Sequence, residues 1–125
     1  MKLRVRADSI RLRLGRDEVR RLADEGFVEE RTHIAPDAPP FVCALRTADD
    51  ARATTASFDR SGLVVTVPRP VARQWAGSEL VGLEASQPAG NGRTLHILVE
   101  KDFECLDGPP GENQDDAFPN PKARC

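Results

Sequence analysis

The order of apolar residues in this sequence repeats after 53 positions. The segment from Ile10 to Leu14 aligns with Leu63 to Val67, and Phe27-Val28 aligns with Leu80-Val81. This alignment runs without a gap from residue 10 to residue 28, although few of the aligned residues are identical. A period near 50 residues is typical of two stacked or intertwined structural units. The repeat therefore predicts one domain whose core is shared by two similar halves.

The first half begins with two predicted strands joined by a tight turn. Apolar and basic residues alternate over residues 2–6 and 10–14, which is typical of half-buried strands. A two-residue turn pairs Val5 with Ile10 and so keeps apolar residues on one face. The opposite face then collects four bases, namely Lys2, Arg4, Arg11 and Arg13.

A helix and two more strands are predicted to complete the first half. Residues 16–25 place their apolar side chains on one helical face, and Gly26 is a common C-terminal stop. These apolar residues are Val19, Leu22 and Ala23. Strands are predicted over residues 27–34 and 41–47, so the half has the order strand, strand, helix, strand, strand.

The second half predicts the same order of elements. Strands are expected over residues 55–59, 63–67, 80–86 and 94–101, with a helix that starts near Pro68, runs to about Ala76 and stops at Gly77. Neither half can bury much apolar surface alone, because about 50 residues make a small core. The predicted fold is mostly β (α+β), with two tandem ββαββ repeats over residues 2–49 and 54–101. The repeats are predicted to form one pseudo-two-fold intertwined β-barrel over residues 1–102, followed by an acidic irregular tail over residues 103–125.

The charge of the chain is distributed unevenly along its length. The net charge of the 125 residues is only -2, with a sequence pI of about 5.7. Residues 1–21 carry eight bases and three acids, whereas residues 100–125 carry seven acids and three bases. Segments of opposite charge attract one another or serve separate partners.

The three cysteines and the hydropathy pattern indicate the compartment in which the protein works. Cys43, Cys105 and Cys125 form no CxxC pair, and no N-terminal apolar segment has the form of a signal peptide. No apolar run approaches the roughly 18 residues of a membrane span. We therefore predict a cytoplasmic protein with reduced thiols and no membrane partner.

One pattern in the second half combines a strand ending at proline, a short helix, a glycine and another strand. Its residues are Gly62–Pro68, Val71, Trp75–Gly77 and Leu80–Glu84. The pattern resembles the AbrB and MazE family, whose barrel exchanges hairpins between two chains. The resemblance implies a similar barrel built from one chain over roughly residues 2–101, with DNA binding or antitoxin-like roles.

The sequence departs from that family at two places. Gly26-Phe27 and Gly77-Ser78 stand where the family commonly has Gly-Asp. Arg11 and Arg13 align with Val64 and Thr66, so the basic face occurs in one half only. AbrB-like dimers bind DNA through two symmetric basic surfaces, and two-fold recognition of DNA is therefore not implied here.

A second resemblance extends over the whole chain. It is carried by Ser9–Leu14, Gly92–Leu95, Val99–Leu106 and the closing Phe118-Pro-Asn-Pro121. These stretches are similar to a small family of bacterial proteins of unknown function. That resemblance implies no activity.

The N-terminal bases are the predicted nucleic-acid site. Contacts of bases with phosphates give affinity that depends on salt and not on sequence. The candidate residues are Lys2, Arg4, Arg11, Arg13, Arg16 and Arg20. The alternative is a solvated strand face whose charges meet Glu29, Glu30 or the acidic tail. The low pI of the whole chain opposes nucleic-acid binding, because such domains are usually more basic.

The acidic tail predicts binding of a protein partner. Acidic segments with a few apolar anchors often fold on a partner, and the anchors here are Phe103, Leu106 and Phe118. The resemblance to MazE implies an antitoxin-like version of this role. The alternative is a tail that docks on its own domain. The expected oligomeric state is a monomer or a weak dimer.

Metal binding and catalysis have little support in the sequence. The soft ligands are His33, His96 and the three cysteines, and the repeat aligns Cys43 with His96. A structural zinc site needs about four such ligands at close range, and no spacing predicts one. Known nucleophile, phosphate-loop, dinucleotide and HExxH motifs are missing from the sequence. The sequence therefore predicts a non-catalytic binding module without a metal or cofactor.

Overall fold

The computed structural model describes residues 1–103, which form a mostly β fold with two helices. The elements are β1 (Lys2–Arg6), β2 (Ser9–Leu14), α1 (Arg16–Glu25), β3 (Phe27–Thr32), β4 (Phe41–Ala48), β5 (Thr55–Asp59), β6 (Gly62–Pro68), α2 (Arg69–Ala76), β7 (Gly82–Gly90) and β8 (Arg93–Lys101). The predicted order of elements is confirmed. The largest differences in bounds are that β3 ends two residues early, while β7 starts two residues late and runs on to Gly90.

The first hairpin has the register predicted from its alternation. Val5 lies opposite Ile10, and Arg4 lies opposite Arg11. α1 follows with Val19 and Leu22 buried, and it ends at Gly26, whose N–H donates to the carbonyls of Arg21 and Leu22. Gly26 has φ of +79°, a left-handed conformation that favours glycine. The spacing of the apolar residues therefore determines which faces of the β1–β2 hairpin and of α1 are buried.

Two four-stranded sheets enclose the core. Their strand orders are β1-β2-β8-β7 and β3-β4-β6-β5. Each sheet joins one hairpin from residues 2–48 to one from residues 55–101, through the parallel pairs β2–β8 and β4–β6. The largest fully buried side chains between the sheets and helices are Trp75, Leu12, Leu14, Leu22, Leu45 and Ile97.

The expectation of a closed β-barrel is wrong for the described residues, because two separate sheets are present. Between β5 and β7 the contact is made by the side chain of Gln87. Its Nε2 donates to the Ala56 carbonyl and its Oε1 accepts from the Ala56 N–H, both at 2.8 Å. Pro88 offers no N–H, and the register of β7 shifts between Pro88 and Gly90. Both features interrupt a backbone ladder at a sheet edge.

The gap-free alignment of the two halves ends at the helices. One residue separates α1 from β3, whereas residues 77–81 separate α2 from β7. Val28 is 1% exposed, but its aligned residue Val81 is 50% exposed. The Val81 carbonyl accepts a hydrogen bond of 3.0 Å from the indole N–H of Trp75. A buried indole N–H needs such a partner, and the longer connection supplies it.

The predicted equivalence of Cys43 and His96 is also wrong. Cys43 lies opposite Leu63 in the core, in the same way that Ile97 lies opposite Ile10. His96 precedes Ile97 on the strand and therefore faces the other side of the sheet, where it is exposed. The two side chains do not meet across the core.

Candidate functional site

The structure divides the predicted nucleic-acid residues between two surfaces. The strand residues Lys2, Arg4, Arg11 and Arg13 lie on the outer face of the sheet β1-β2-β8-β7, opposite the buried face of Leu12 and Leu14. Arg16 and Arg20 are exposed on α1 and line a groove between the two helices. Residues close in sequence are therefore presented on different parts of the molecule.

Carboxylates contact Lys2, Arg11 and Arg13 on the outer sheet face. Glu100 lies on β8 beside Arg13, and its Oε1 is 2.7 Å from Arg13 Nε and 3.5 Å from Arg11 Nε. Lys2 Nζ is 2.7 Å from Asp102 Oδ2. Like charges directly opposite one another destabilise a sheet, and these acids offset that repulsion. This pairing supports the alternative of a charged solvated face, although Glu100 and Asp102 replace the acids expected from sequence.

The groove between α1 and α2 is a concave surface with a volume of about 810 Å³. That volume lies within the range typical of ligand pockets. Its floor includes Leu14 and Val19, which are buried, and the small side chains Ala23 and Ala76. Ala23 and Ala76 are only partly buried, so it is mainly these small side chains that leave apolar surface open at the floor.

Bases predominate on the rim of the groove. The four bases that line it are Arg16, Arg20, Arg73 and Lys101, against the two acids Asp24 and Asp102. Arg16, Arg20 and Arg73 are exposed. Arg20 also reaches Asp17 at 2.7 Å, an exposed pair of adjacent helical turns. Exposed pairs of this kind contribute little, so the arginines stay available to an anionic ligand.

Lys101 connects the groove to the buried tryptophan. Its Nζ donates to the Ser78 carbonyl at 2.7 Å and lies 5.7 Å from the ring centroid of Trp75. A cation at that distance from an indole ring is attracted by its electron-rich face. Trp75 is the single tryptophan of the chain. Trp75 is itself fully buried, so Lys101 is the residue that contacts both the groove and the indole ring.

The chain leaves the second hairpin directly at the groove. The Asp102 N–H donates to the Leu14 carbonyl at 2.9 Å, which continues the pairing of β2 and β8. Phe103 follows, lines the groove and is 63% exposed. Of the three predicted partner-binding anchors, only Phe103 is described, and Leu106 and Phe118 lie outside the described residues.

The described cysteine is poorly suited to chemistry. Cys43 is buried, and burial together with the nearby Glu30 raises the pKa of its thiol to about 11. A thiol with such a pKa is protonated at neutral pH and is a weak nucleophile. Cys105 and Cys125 lie outside the described residues, so the prediction of reduced thiols without a metal is not tested there.

Within residues 1–103, no group of three or more His, Cys, Asp or Glu side chains is arranged to hold a metal ion. His33 and His96 are both exposed. In the same part of the chain, neither helix combines the length and apolar character needed to cross a membrane.

Sequence reasoning missed four charged residues of the groove, namely Asp24, Arg73, Lys101 and Asp102. One signal for Arg73 was present, because it aligns with Arg20 and is identical to it. That identity placed an arginine at the same position of both helices. What the sequence did not provide was the packing of the two helices side by side.

Comparison with known proteins places the chain in a family. Neither the curated proteins nor the solved structures include a match. One family model matches residues 1–122, and its description is that of a family of unknown function. This match confirms the predicted resemblance to a family without a known activity. On that match, the chain belongs to the family of unknown function DUF7009.

Proposed function

We propose that this chain is a non-catalytic protein-interaction module that binds an acidic peptide segment in the groove between α1 and α2. The observation that supports this proposal is the combination of an apolar floor with a cationic rim in one concavity. The partner is therefore a polypeptide segment that carries carboxylates beside an apolar side chain.

The chemistry of the rim favours carboxylates. Arginine forms charge-assisted, often bidentate, hydrogen bonds with carboxylates, which are stronger than neutral ones. Arg20 and Arg73 lie on different helices, so carboxylates on both sides of a peptide would find a partner. The floor of Val19, Ala23 and Ala76 would take the apolar anchor. A DNA duplex would offer phosphates to the rim but nothing comparable to the floor.

A labelled peptide tests this proposal. The probe is a fluorescein-labelled decapeptide of alternating Asp and Glu residues around a central Phe, and fluorescence anisotropy measures its affinity at 50 mM salt. The double change Arg20→Glu with Arg73→Glu should weaken binding at least about tenfold, because two charge-assisted contacts become repulsive. A peptide with Asn and Gln in place of the acids should bind as weakly.

The matched control is Arg60→Glu. Arg60 is an exposed base in the turn between β5 and β6, and α2 follows the opposite end of β6. This change should leave the affinity within about twofold, since screening with a Debye length of about 14 Å at 50 mM salt weakens the effect of distant charges. Equal losses for the control and the double variant, or no binding of the acidic peptide below 1 mM, would disprove the proposal.

A second candidate function is nucleic-acid binding by the outer face of β1 and β2. The supporting observation is the set of four bases on one face of two paired strands, Lys2, Arg4, Arg11 and Arg13. In this version the chain is an AbrB-like transcriptional regulator. Affinity for duplex DNA should then fall steeply with salt, and Arg4→Gln with Arg11→Gln should reduce the slope by about two. A response to salt that is unchanged in this variant would exclude the outer face.

We also propose that the fold is a single-chain form of the AbrB and MazE architecture built from two repeats. The support is that each sheet joins a hairpin from each half of the chain through a parallel strand pair. An antitoxin-like role and a bacterial, cytoplasmic setting belong to this proposal. A toxin gene beside the gene for this chain would favour that role, and a cluster of metabolic genes would oppose it.

A further inference from the structure

We propose that residues 104–107 of this chain are the resident occupant of the groove between α1 and α2. The inference rests on the proposed function, because it takes the same groove to accept an acidic segment with an apolar anchor. It adds the identity of the occupant and a form of regulation, in which an external partner must displace the chain's own segment.

The geometry of the chain end supports this occupant. Asp102 is held beside the start of α1 by its hydrogen bond to the Leu14 carbonyl, and Phe103 already lines the groove. Four further residues reach at most about 14 Å when extended. α1 has ten residues and is therefore about 15 Å long. Residues 104–107 thus have the length needed to follow the groove from its end at Phe103.

The charges of the segment complement the rim. Glu104 and Asp107 flank the short segment, and residues 104–125 as a whole hold five acids and two bases. The rim offers Arg16, Arg20 and Arg73. Opposite charges over this distance attract even in water, and the effect weakens with salt.

The apolar residues of the segment complement the floor. Leu106 lies between the two acids in sequence. Phe103 leaves most of its ring exposed at the edge of the groove, where a neighbouring apolar side chain would cover it. The space beside Ala23 and Ala76 is suited to one such side chain, because both alanines are small. One segment would therefore satisfy the rim and the floor together.

The outer sheet face is a weaker candidate for the same segment. Arg11 and Arg13 already contact Glu100, and Lys2 contacts Asp102. This face would offer a segment fewer uncompensated charges than the rim. It also presents alternating charged side chains in place of a continuous apolar floor.

The covalent connection makes even a weak contact effective. A short linker gives an effective concentration of about 1 mM. A segment with an intrinsic Kd of about 0.1 mM would then occupy the groove about 90% of the time. An external acidic peptide would bind about tenfold more weakly than to an open groove.

Charge reversal in the full chain tests the inference. The test variant combines Glu104→Lys with Asp107→Lys, and the matched control combines Asp115→Lys with Asp116→Lys, which alters the total charge equally. Amide chemical shifts and the affinity of the fluorescein-labelled acidic decapeptide are measured for both. The test variant should shift amides of α1, α2 and Lys101 and bind the decapeptide about tenfold more tightly. The control should change the affinity by less than about twofold.

The outcomes separate the two proposals. Helix amides that do not shift in the test variant, or shifts confined to β1 and β2, would overturn the inference. If the decapeptide binds the wild type and both variants equally, the groove still accepts acidic peptides but residues 104–107 do not occupy it. If helix amides shift while the decapeptide binds none of the proteins, the segment occupies the groove and the proposed function fails.

Discussion

The two sheets are alike on their inner faces and different on their outer faces. Leu12 and Val65, in the central strands β2 and β6, are both fully buried. On the outer faces, Arg11 and Arg13 of β2 correspond to Val64 and Thr66 of β6. Packing in a shared core fixes the inner residues, whereas solvent-facing positions are free to differ. The two sheets therefore differ in the charge of their outer faces.

The two helices give the opposite result. Arg20 of α1 and Arg73 of α2 are identical at aligned positions, and both line the same groove. A site between two similar elements is assembled from what the halves share. The outer sheet face, in contrast, depends on where they differ. The molecule therefore has two candidate binding surfaces: the groove, built from residues that the halves share, and the outer sheet face, built from residues in which they differ. The following changes test how much each sheet contributes to the stability of the fold.

Cutting the chain should have the largest effect. Each sheet contains a hairpin from either side of the loop at residues 49–54, so halves 1–50 and 51–125 each lack two strands of both sheets. As monomers, neither half should fold, and an equimolar mixture should regain the fold. Far-UV circular dichroism and amide spectra at micromolar concentration measure this. A folded monomer of either half would show that its hairpins do not need strands from the other half.

Truncation in the core should have the next largest effect, and it should be equal in the two sheets. Leu12 of the first sheet and Leu45 of the second are both 0% exposed. Leu12→Ala and Leu45→Ala should each lower the free energy of unfolding by about 3 kcal/mol, through lost burial and a new cavity. Urea denaturation measures both. A loss below about 1 kcal/mol for only one variant would contradict a core shared equally.

Changes on the outer faces should be smaller and unequal. Glu100 is largely buried and lies between two arginines, so Glu100→Gln should lower the free energy of unfolding by about 1–2 kcal/mol. Arg46 of the second sheet is exposed and donates to Thr66 Oγ1 at 3.0 Å. Arg46→Gln should change the free energy of unfolding by less than about 0.5 kcal/mol. Equal changes would remove the contrast between the outer faces.

The smallest expected effect is on the pH dependence of stability, and it involves Glu18 in the first half of the chain only. Burial by itself would raise the pKa of Glu18, but hydrogen bonds from the N-terminal ammonium and the Gly15 N–H outweigh it and lower the pKa. A carboxyl with a lowered pKa stabilises the fold above its ordinary value of 4.5, and this stabilisation is lost as the pH falls. Glu18 aligns with Val71 of α2, which cannot titrate.

The contact of Glu18 with the N-terminal ammonium should also make stability depend on pH in the alkaline range. Burial opposes the charge of the N-terminal ammonium, but Glu18 and Glu30 raise its pKa above the ordinary 8.0. Its stabilisation is therefore present below pH 8 and is lost as the pH rises further. Melting temperatures between pH 3 and 10 should fall at both limits in the wild type and less steeply in Glu18→Gln. Parallel curves for the two proteins would assign the pH dependence to other groups.

The sequence predicted those parts of the fold that depend on local patterns. The register of Val5 with Ile10 followed from period-two alternation, and the end of α1 followed from Gly26. Gln87 gave no such signal, because its role depends on how closely β5 and β7 approach. The connection after α2 was mispredicted because the requirement of the Trp75 N–H for an acceptor is a tertiary constraint.

The candidate site was only partly predictable for a related reason. Arg16 and Arg20 were identified, but their proximity in sequence to Arg11 and Arg13 grouped them on one predicted surface. A strand end and a helix start diverge in space, and the path of the backbone separates the two sets. The groove itself arises from the packing of α1 beside α2, which no pattern within a single element records.

The joining of hairpins from both halves of the chain in each sheet has a consequence for how the protein folds in a cell. The contact of Arg13 with Glu100 joins residues 87 positions apart, and the whole β2–β8 pair has a similar separation. The first sheet cannot be completed until the last strand has been synthesised. Contacts between residues so far apart in sequence slow folding, because a long loop must close before they form. The nascent chain therefore cannot bury Ile10, Leu12 and Leu14 against β8 until β8 has been synthesised, and this interval is when assistance from a chaperone would matter most.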